Sequence, residues 1–109
     1  MPKKGAVVLV PFPFTDLSGV KVRPAIVIST VAMGEDVVVV FISSRKEGKV
    51  RKNDVAVSPS PTNGLKVNSV IKCGKIATLE KKIILGELGT LESPVMKEVD
   101  KKLKLVLGV

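Results

Sequence analysis

Short apolar runs, separated by turn residues, recur along most of the chain and predict β-strands. Each run is rich in Val, Ile or Leu and is bounded by Gly, Pro, Ser or Asp, which are common turn residues. The predicted strands cover residues 5–10, 22–28, 37–42, 54–57, 69–79 and 83–88. A series of short strands of this kind is typical of a small β-barrel.

Two of the predicted strands carry additional information. The third, VVVVFI at 37–42, is apolar at every position, which indicates that both of its faces are buried. Such a strand belongs at the centre of a small barrel or at a subunit interface. In the fifth strand, Gly74 interrupts the apolar run and predicts a β-bulge or a barrel corner.

The pattern changes period near the C-terminus. The apolar residues there recur at steps of three and four and are Met96, Val99, Leu103 and Val106. This spacing predicts an amphipathic helix, with Ser93 as N-cap, Pro94 at the first helical position and Gly108 at its end. We therefore expect a mostly β fold with a C-terminal α-helix, in a single domain over residues 1–109.

The segment PFPFTDLSG, which follows the first strand, concentrates unusual local signals. Phe12 and Phe14 are two of the three phenylalanines in a chain without Trp or Tyr. Because Pro11 and Pro13 fix φ and remove backbone donors, we expect a loop here rather than an interior strand. Residues 16–19, DLSG, then form a turn cluster.

The charge balance points to an anionic partner. The chain carries 18 Lys and Arg against 10 Asp and Glu, a formal net charge of +8. Such an excess in a small protein favours binding to nucleic acid, an acidic protein or a membrane surface. The alternative is a generally basic, lysine-rich surface without one dedicated partner.

The composition also makes several classes of protein unexpected. With no His and one cysteine, Cys73, the chain has no internal disulfide, and we expect neither a metal site nor a cofactor. Cys73 lies in an apolar run and is interpreted as a buried small hydrophobe. No apolar run approaches the roughly 18 residues of a membrane span, and the start lacks a cleavage site, so we expect a cytoplasmic protein.

A few polar residues stand at predicted strand ends. Arg23 opens the second strand, Ser43 and Ser44 end the third, and Ser69 opens the fifth. In an antiparallel pair the start of one strand lies beside the end of its neighbour, so Arg23 and Ser43 are candidates to face each other. Ser43 and Ser44 fit equally well as ordinary strand-terminating residues.

Several stretches in fixed order carry a family resemblance. They are PFPFTDLSG, RPAIVIS, VVVVFISS, GLKVNSVIKCGKIATLEKK, LGELG and a helix ending in LGV. Together they cover nearly the whole chain, and they resemble the MazF/PemK family of toxin endoribonucleases. The resemblance implies an SH3-like barrel of the CcdB/PemK type, a homodimer, metal-independent cleavage of single-stranded RNA, and an acidic antitoxin protein that covers the active groove.

The resemblance also implies roles for individual residues. The catalytic arginine of the family's RP dipeptide falls on Arg23, and its catalytic hydroxyl, a threonine in the family, falls on Ser43. Serine keeps the hydroxyl but loses the methyl group that restricts its rotamer. Residues 11–21 match the family's substrate-gating loop, in which Ser18 and Lys21 are candidate RNA contacts. The family's acidic loop residue has no unambiguous counterpart.

The chemistry of RNA cleavage is compatible with these residues. The 2′-hydroxyl attacks phosphorus and leaves a 2′,3′-cyclic phosphate and a 5′-hydroxyl. Arg23 suits charge stabilisation because its guanidinium matches phosphate oxygens, but it is a poor base because its pKa exceeds about 12. Ser43 is expected to hydrogen-bond the phosphate or to orient the 2′-hydroxyl, while Phe12 and Phe14 are candidates for base stacking or for packing under the loop. The predicted substrate-binding residues are Phe12, Phe14, Ser18, Lys21, Ser44 and Ser69.

Two other functions remain compatible with the sequence. A basic SH3-like module could bind nucleic acid without cutting it, and a CcdB-like toxin would inhibit a topoisomerase by protein contact. The RP dipeptide followed by a strand that ends in hydroxyls argues against the CcdB-like function. A homodimer is also predicted from the residues, because the third strand and the helix stripe offer more apolar surface than a small barrel readily buries alone.

Overall fold

A computed structural model describes residues 2–12, 21–30, 33–45 and 49–109, and its elements match the predicted order. Six strands are followed by one α-helix, α1 (Ser93–Leu107). The strands are β1 (Ala6–Phe12), β2 (Lys21–Val27), β3 (Asp36–Ser44), β4 (Asp54–Val57), β5 (Ser69–Glu80) and β6 (Gly86–Thr90). They form one antiparallel sheet in the order β4-β5-β3-β2-β1-β6, which curls into a half-barrel. The predicted fold class, mostly β with a C-terminal helix, is confirmed.

Both faces of the sheet are buried within the chain. On β3, Val37, Val39 and Phe41 belong to one apolar cluster, and Val40 and Ile42 belong to a second cluster on the opposite face. Helix α1 covers the second cluster through Val99 and Leu103, which are buried against it. The continuous apolar run of β3 is therefore explained by the chain's own two-sided core, and the homodimer prediction loses that part of its physical basis.

The end of β1 differs from the prediction. Pro11 and Phe12 continue the strand backbone opposite Val22 and Lys21 of β2, so the prediction that they lie in a loop is wrong. The pairing of β1 with β6 covers Ala6 to Leu9. Pro11 thus lies beyond that neighbour, where its missing N–H removes no bond on the β6 side.

The second half of the sheet confirms one prediction and corrects another. In the β3–β5 pairing, Val40 lies opposite Ile76 and Phe41 opposite Lys72, so the bulge predicted at Gly74 is confirmed. The last strand begins at Gly86 instead of residue 83. Lys81–Ile83 is a 3-10 turn, and Ile83 and Ile84 pack into the core there, which an apolar run alone does not distinguish from a strand.

Helix α1 begins one residue earlier than predicted. Its N-cap is Glu92, and Ser93 lies inside the helix. Gly108 ends the helix in the left-handed conformation at φ 71°, as predicted. Within the described part of the chain, no helix is both long and apolar enough to cross a membrane.

Candidate active site

Arg23 lies near the start of β2, where this strand pairs with β1 but not yet with β3. It stands opposite Val10 of β1 and is followed by Pro24, which restricts Arg23 to extended backbone. The β2–β3 register begins two residues later, at Ala25 opposite Phe41. The guanidinium is thus carried on a stiff strand, and its Nε atom is buried.

The serines lie at the end of β3 beside the start of β5. Ser43 and Ser44 are both half-buried and stand opposite Val70 and Ser69. Ser69 is only 3% exposed, and its hydroxyl donates to the carbonyl of Val67 at 2.8 Å. Ser69 therefore has its proton committed to the neighbouring loop and can only accept a further hydrogen bond.

These strand ends surround one cavity of about 420 Å³, here called the reaction cavity. Its polar and charged lining residues are Lys21, Arg23, Ser43, Ser44, Lys66 and Ser69. Five of these six were predicted from the sequence as site residues. The sixth, Lys66, was not predicted, because its place in the cavity lining depends on the path of the loop before β5.

A hydrogen-bond network built on Asn63 holds that loop. Asn63 is fully buried, and its side-chain carbonyl accepts bonds from the backbone N–H groups of Ser60 and Leu65 at 3.1 and 2.9 Å. Its amide donates to the carbonyl of Ser58 at 2.9 Å and to a carboxylate oxygen of Glu92 at 3.1 Å. All four bonding positions of the side chain are used, which fixes the chain immediately before Lys66.

Glu92 connects the same loop to helix α1. The hydroxyl of Ser60 donates to its other carboxylate oxygen. That bond, with a smaller contribution from Asn63, lowers the pKa of Glu92 below its ordinary value. Glu92 occupies the N-cap position of α1, and although its carboxylate makes no capping bond, the bonds that it accepts favour the ionised form, so the network is a charged one.

The loop before β5 and strand β6 cross closely beside this network. The crossing and the hydrogen bonds of Asn63 and Glu92 are together called the Asn63 junction. A Cβ on Gly64 would meet the carbonyl oxygen of Leu88 at 2.3 Å, and one on Gly89 would meet that of Thr62 at 2.3 Å. Gly64 also has a φ of 70°, which favours glycine. The turn-rich sequence predicted a loop here, but the crossing with β6 could not be inferred from local composition.

The described residues offer few side chains for nucleophilic catalysis or for metal binding. Cys73 is buried, and desolvation raises the pKa of its thiol to about 11, so it is a protonated core residue as predicted. Among the residues in the described ranges, no group of three or more His, Cys, Asp or Glu stands close enough together to hold a metal ion.

Several predicted substrate-binding residues cannot be placed. Phe14 and Ser18 lie outside the described residues, as does most of the predicted gating loop. For Phe12 only the strand backbone is described. Of the substrate-binding residues predicted in this loop, Lys21 is the one whose side chain is described, and it lines the reaction cavity.

The sequence and the fold both match known toxins. The model of a family described as PemK-like, MazF-like toxin of type II toxin-antitoxin system matches residues 3–107. No curated protein matches the sequence.

Solved structures share the fold. An endoribonuclease in complex with its cognate antitoxin from a mycobacterial species is similar at 24% identity, with a TM-score of 0.79, covering 100% of this chain and 97% of the other. A MazE-MazF structure from Deinococcus radiodurans has 26% identity, a TM-score of 0.78 and coverage of 99% and 97%. The Mycobacterium tuberculosis toxin MazF-mt6 has 17% identity, a TM-score of 0.74 and coverage of 95% and 97%.

Proposed function

Since this chain belongs to the PemK-like, MazF-like toxins of type II toxin-antitoxin systems, we propose that it is the endoribonuclease of such a pair. Its substrate is single-stranded RNA, and its reaction needs no metal ion. Two proteins of similar structure, an endoribonuclease in complex with its cognate antitoxin and a MazE-MazF complex, support this assignment.

The observation that carries the proposal is the meeting of Arg23 and Ser43 in the reaction cavity. A guanidinium, a hydroxyl and two lysines, Lys21 and Lys66, are the groups that a phosphodiester needs around it. The cavity has no acidic lining residue within the described chain, so nothing there opposes an incoming phosphate.

In the proposed reaction, the 2′-hydroxyl releases its proton to water as the 2′-oxygen attacks phosphorus, the bond from phosphorus to the 5′-oxygen breaks, and the 5′-oxygen takes up a proton from water. Arg23 donates hydrogen bonds to the non-bridging oxygens and stabilises the charge that grows on them in the transition state. Ser43 hydrogen-bonds the phosphate or orients the 2′-hydroxyl. Lys21 and Lys66 attract the RNA backbone and hold it in the cavity.

The antitoxin is proposed to be an acidic protein that covers the reaction cavity. Besides its cations, the cavity carries two exposed apolar side chains, Val22 and Val67, which are 51% and 52% exposed. Cations with adjacent apolar contacts suit an acidic segment that folds on binding and brings its own apolar side chains.

The proposal also includes a homodimer in which each chain is a single domain. The protein acts in the cytoplasm, where its RNA substrate occurs. The apolar side chains left exposed away from the reaction cavity include Leu85, Leu105 and Leu107, at 60%, 63% and 57% exposure. They supply the apolar surface on which a second copy could pack, since β3 is already covered.

The proposal is tested by incubating the protein with unstructured RNAs of varied sequence in excess EDTA and analysing the product ends. We expect 2′,3′-cyclic phosphates and 5′-hydroxyls. Absence of cleavage across varied RNAs would favour a non-catalytic nucleic-acid-binding module, and cleavage abolished by EDTA would contradict the metal-free mechanism.

A further inference from the structure

A second cavity, of about 440 Å³, adjoins the reaction cavity at Ser43 and Ser44, which line both. It is here called the basic cavity, because it is lined by Lys49, Arg51, Lys72 and Lys75. None of these four cations was among the predicted site residues. The end of β3 therefore separates two cation-lined spaces, only one of which contains Arg23.

One acidic residue, Asp54, organises the wall of the basic cavity. Its carboxylate accepts the ammonium of Lys72 at 3.1 Å and the backbone N–H of Arg51 at 2.9 Å. The carboxylate is 8% exposed and the lysine side chain 18%. Asp54 is thus neutralised by Lys72 and fixes the turn that carries Arg51, which leaves Lys49, Arg51 and Lys75 as the excess positive charge.

The β-bulge in β5 opens the space between these cations. The residues displaced from the pairing with β3 lie between Lys72 and Ile76, and they include Gly74 and Lys75. A Cβ on Gly74 would meet nothing within 4 Å, and its φ is not in the left-handed region. Backbone geometry and packing therefore do not demand glycine at this position, which lines the cavity and leaves it open.

We propose that the basic cavity binds phosphodiester groups of the RNA chain on one side of the bond that is cut. This inference rests on the proposed function, because it takes RNA as the substrate. A single-stranded chain whose reacting phosphate lies beside Arg23 and Ser43 continues past Ser43 and Ser44 into the basic cavity. The flanking phosphates then bind Lys49, Arg51 and Lys75 without contributing to the chemical step.

The lining favours RNA over an acidic peptide as the occupant. Val70 is the one apolar side chain among the described residues that line the basic cavity, and it is itself buried. A segment that folds on binding needs apolar contacts as well as charge, and the reaction cavity offers them through Val22 and Val67. A space lined by cations and hydroxyls, whose one carboxylate is already paired with Lys72, suits a phosphate backbone.

The test compares binding of uncleavable 2′-O-methyl RNAs of about two to ten nucleotides, within and below the usual ~4–16-nucleotide site sizes. The variant Arg51→Gln/Lys75→Gln removes two cations from the basic cavity. Lys97→Gln/Lys101→Gln is the matched control, because it removes the same charge from exposed positions on α1. A second variant, Gly74→Glu, places a carboxylate in the cavity where the backbone has room.

We expect the loss of affinity to grow with RNA length, reaching about three- to tenfold for the longest RNA in Arg51→Gln/Lys75→Gln. The salt slope of log K should fall by about 0.7 for each cation removed. Gly74→Glu should lower the affinity for the same long RNAs. The affinities of the α1 control should match those of wild type within about twofold.

Three outcomes would overturn this proposal. The first is that wild type and Arg51→Gln/Lys75→Gln bind RNA with equal affinity at every length, and the second is that the α1 control loses as much RNA affinity as Arg51→Gln/Lys75→Gln. The third is that Arg51→Gln/Lys75→Gln loses affinity for an oligoglutamate probe peptide but not for RNA. Cleavage by wild type is scored separately, so a chain that binds long RNA through this cavity but never cuts would contradict the proposed function and leave the binding site intact.

Discussion

Arg23 and Ser43 stand at matching positions on neighbouring strands. Continuing the β2–β3 register from the Ala25–Phe41 pair by two residues on each strand sets Arg23 opposite Ser43, and both residues line the reaction cavity. Pro24 and Ile42, the residues between, line the same cavity. A cation and a hydroxyl are thus held on two stiff strands at the edge of the sheet's core, which is the preorganisation that charge stabilisation requires.

Substitutions at Ser43 separate the hydroxyl from the rest of the side chain. We expect Ser43→Ala to lower the single-turnover cleavage rate by about 10²-fold, because one preorganised hydrogen-bonding group is lost. Ser43→Thr should cut at least as fast as wild type, since it keeps the hydroxyl and restricts its rotamer. Ser44→Ala is the neighbouring control and should change RNA affinity more than rate. A Ser43→Ala variant that cuts like wild type would remove Ser43 from the chemistry.

The Asn63 junction is expected to contribute strongly to the stability of the fold. Asn63→Ala should lower the free energy of unfolding by about 2–3 kcal/mol, because it leaves buried N–H and carbonyl groups without their bonds. Urea denaturation with Thr62→Ala, an exposed neighbour, as control measures the difference. Equal midpoints for Asn63→Ala and Thr62→Ala would show that the network contributes little.

The same junction should make stability sensitive to acid. The pKa of Glu92 is lowered in the folded chain, chiefly by the hydrogen bond from Ser60, so its stabilisation is complete above its ordinary value of 4.5. It is lost as pH falls through the lower, folded value. Unfolding measured from neutral pH downward should show this loss in wild type and less of it in Glu92→Gln, which starts less stable at neutral pH. Glu98→Gln, on the exposed face of α1, serves as control.

Binding of the proposed acidic antitoxin should depend strongly on salt. The chain has a net charge of +8, and the reaction cavity brings Lys21, Arg23 and Lys66 together. We expect affinity to fall at least tenfold between about 50 and 200 mM salt, as measured by calorimetry with RNA competition. Lys66→Gln should flatten this dependence. An affinity indifferent to salt would contradict the electrostatic account.

The homodimer is tested by sedimentation at micromolar concentration. We expect a species of twice the 11.6 kDa chain mass, and a shift toward monomer for Leu105→Glu/Leu107→Glu, because these exposed leucines lie on the surface proposed for the second copy. Lys66→Glu/Lys75→Glu, at exposed positions outside α1, is the control. A wild-type protein that sediments only as 11.6 kDa would contradict the dimer.

Local sequence signals predicted the parts of the fold that depend on local physics. Turn residues and apolar runs located all six strands, the spacing from Met96 to Val106 located α1, and Gly74 located the bulge. The errors occurred where a neighbouring element decides. Pro11 and Phe12 join β1 beyond Leu9, where its pairing with β6 stops, and Ile83 and Ile84 leave the strand to pack against the core.

The candidate site was predictable to the extent that strand register is predictable. Arg23, Ser43, Ser44 and Ser69 are strand-end residues, and antiparallel pairing brings strand ends together. Lys66, Lys49 and Arg51 lie on loops and Lys75 lies in the bulge, so strand pattern did not reveal them, and Lys72 is a paired residue of β5 whose partner Asp54 is distant in sequence. Their positions depend on contacts distant in sequence, such as those of Asn63 with Glu92 and of Asp54 with Lys72.

The most direct test of the account replaces Arg23 with lysine and measures rate and affinity in parallel. Lysine keeps the positive charge but lacks the bidentate geometry that the growing charge on phosphorus requires. In excess EDTA, with an unstructured RNA under single-turnover conditions, we expect Arg23→Lys to cut about 10²–10³-fold more slowly than wild type while RNA affinity changes only a few-fold. An Arg23→Lys variant that cuts at the wild-type rate would contradict the central role assigned to Arg23.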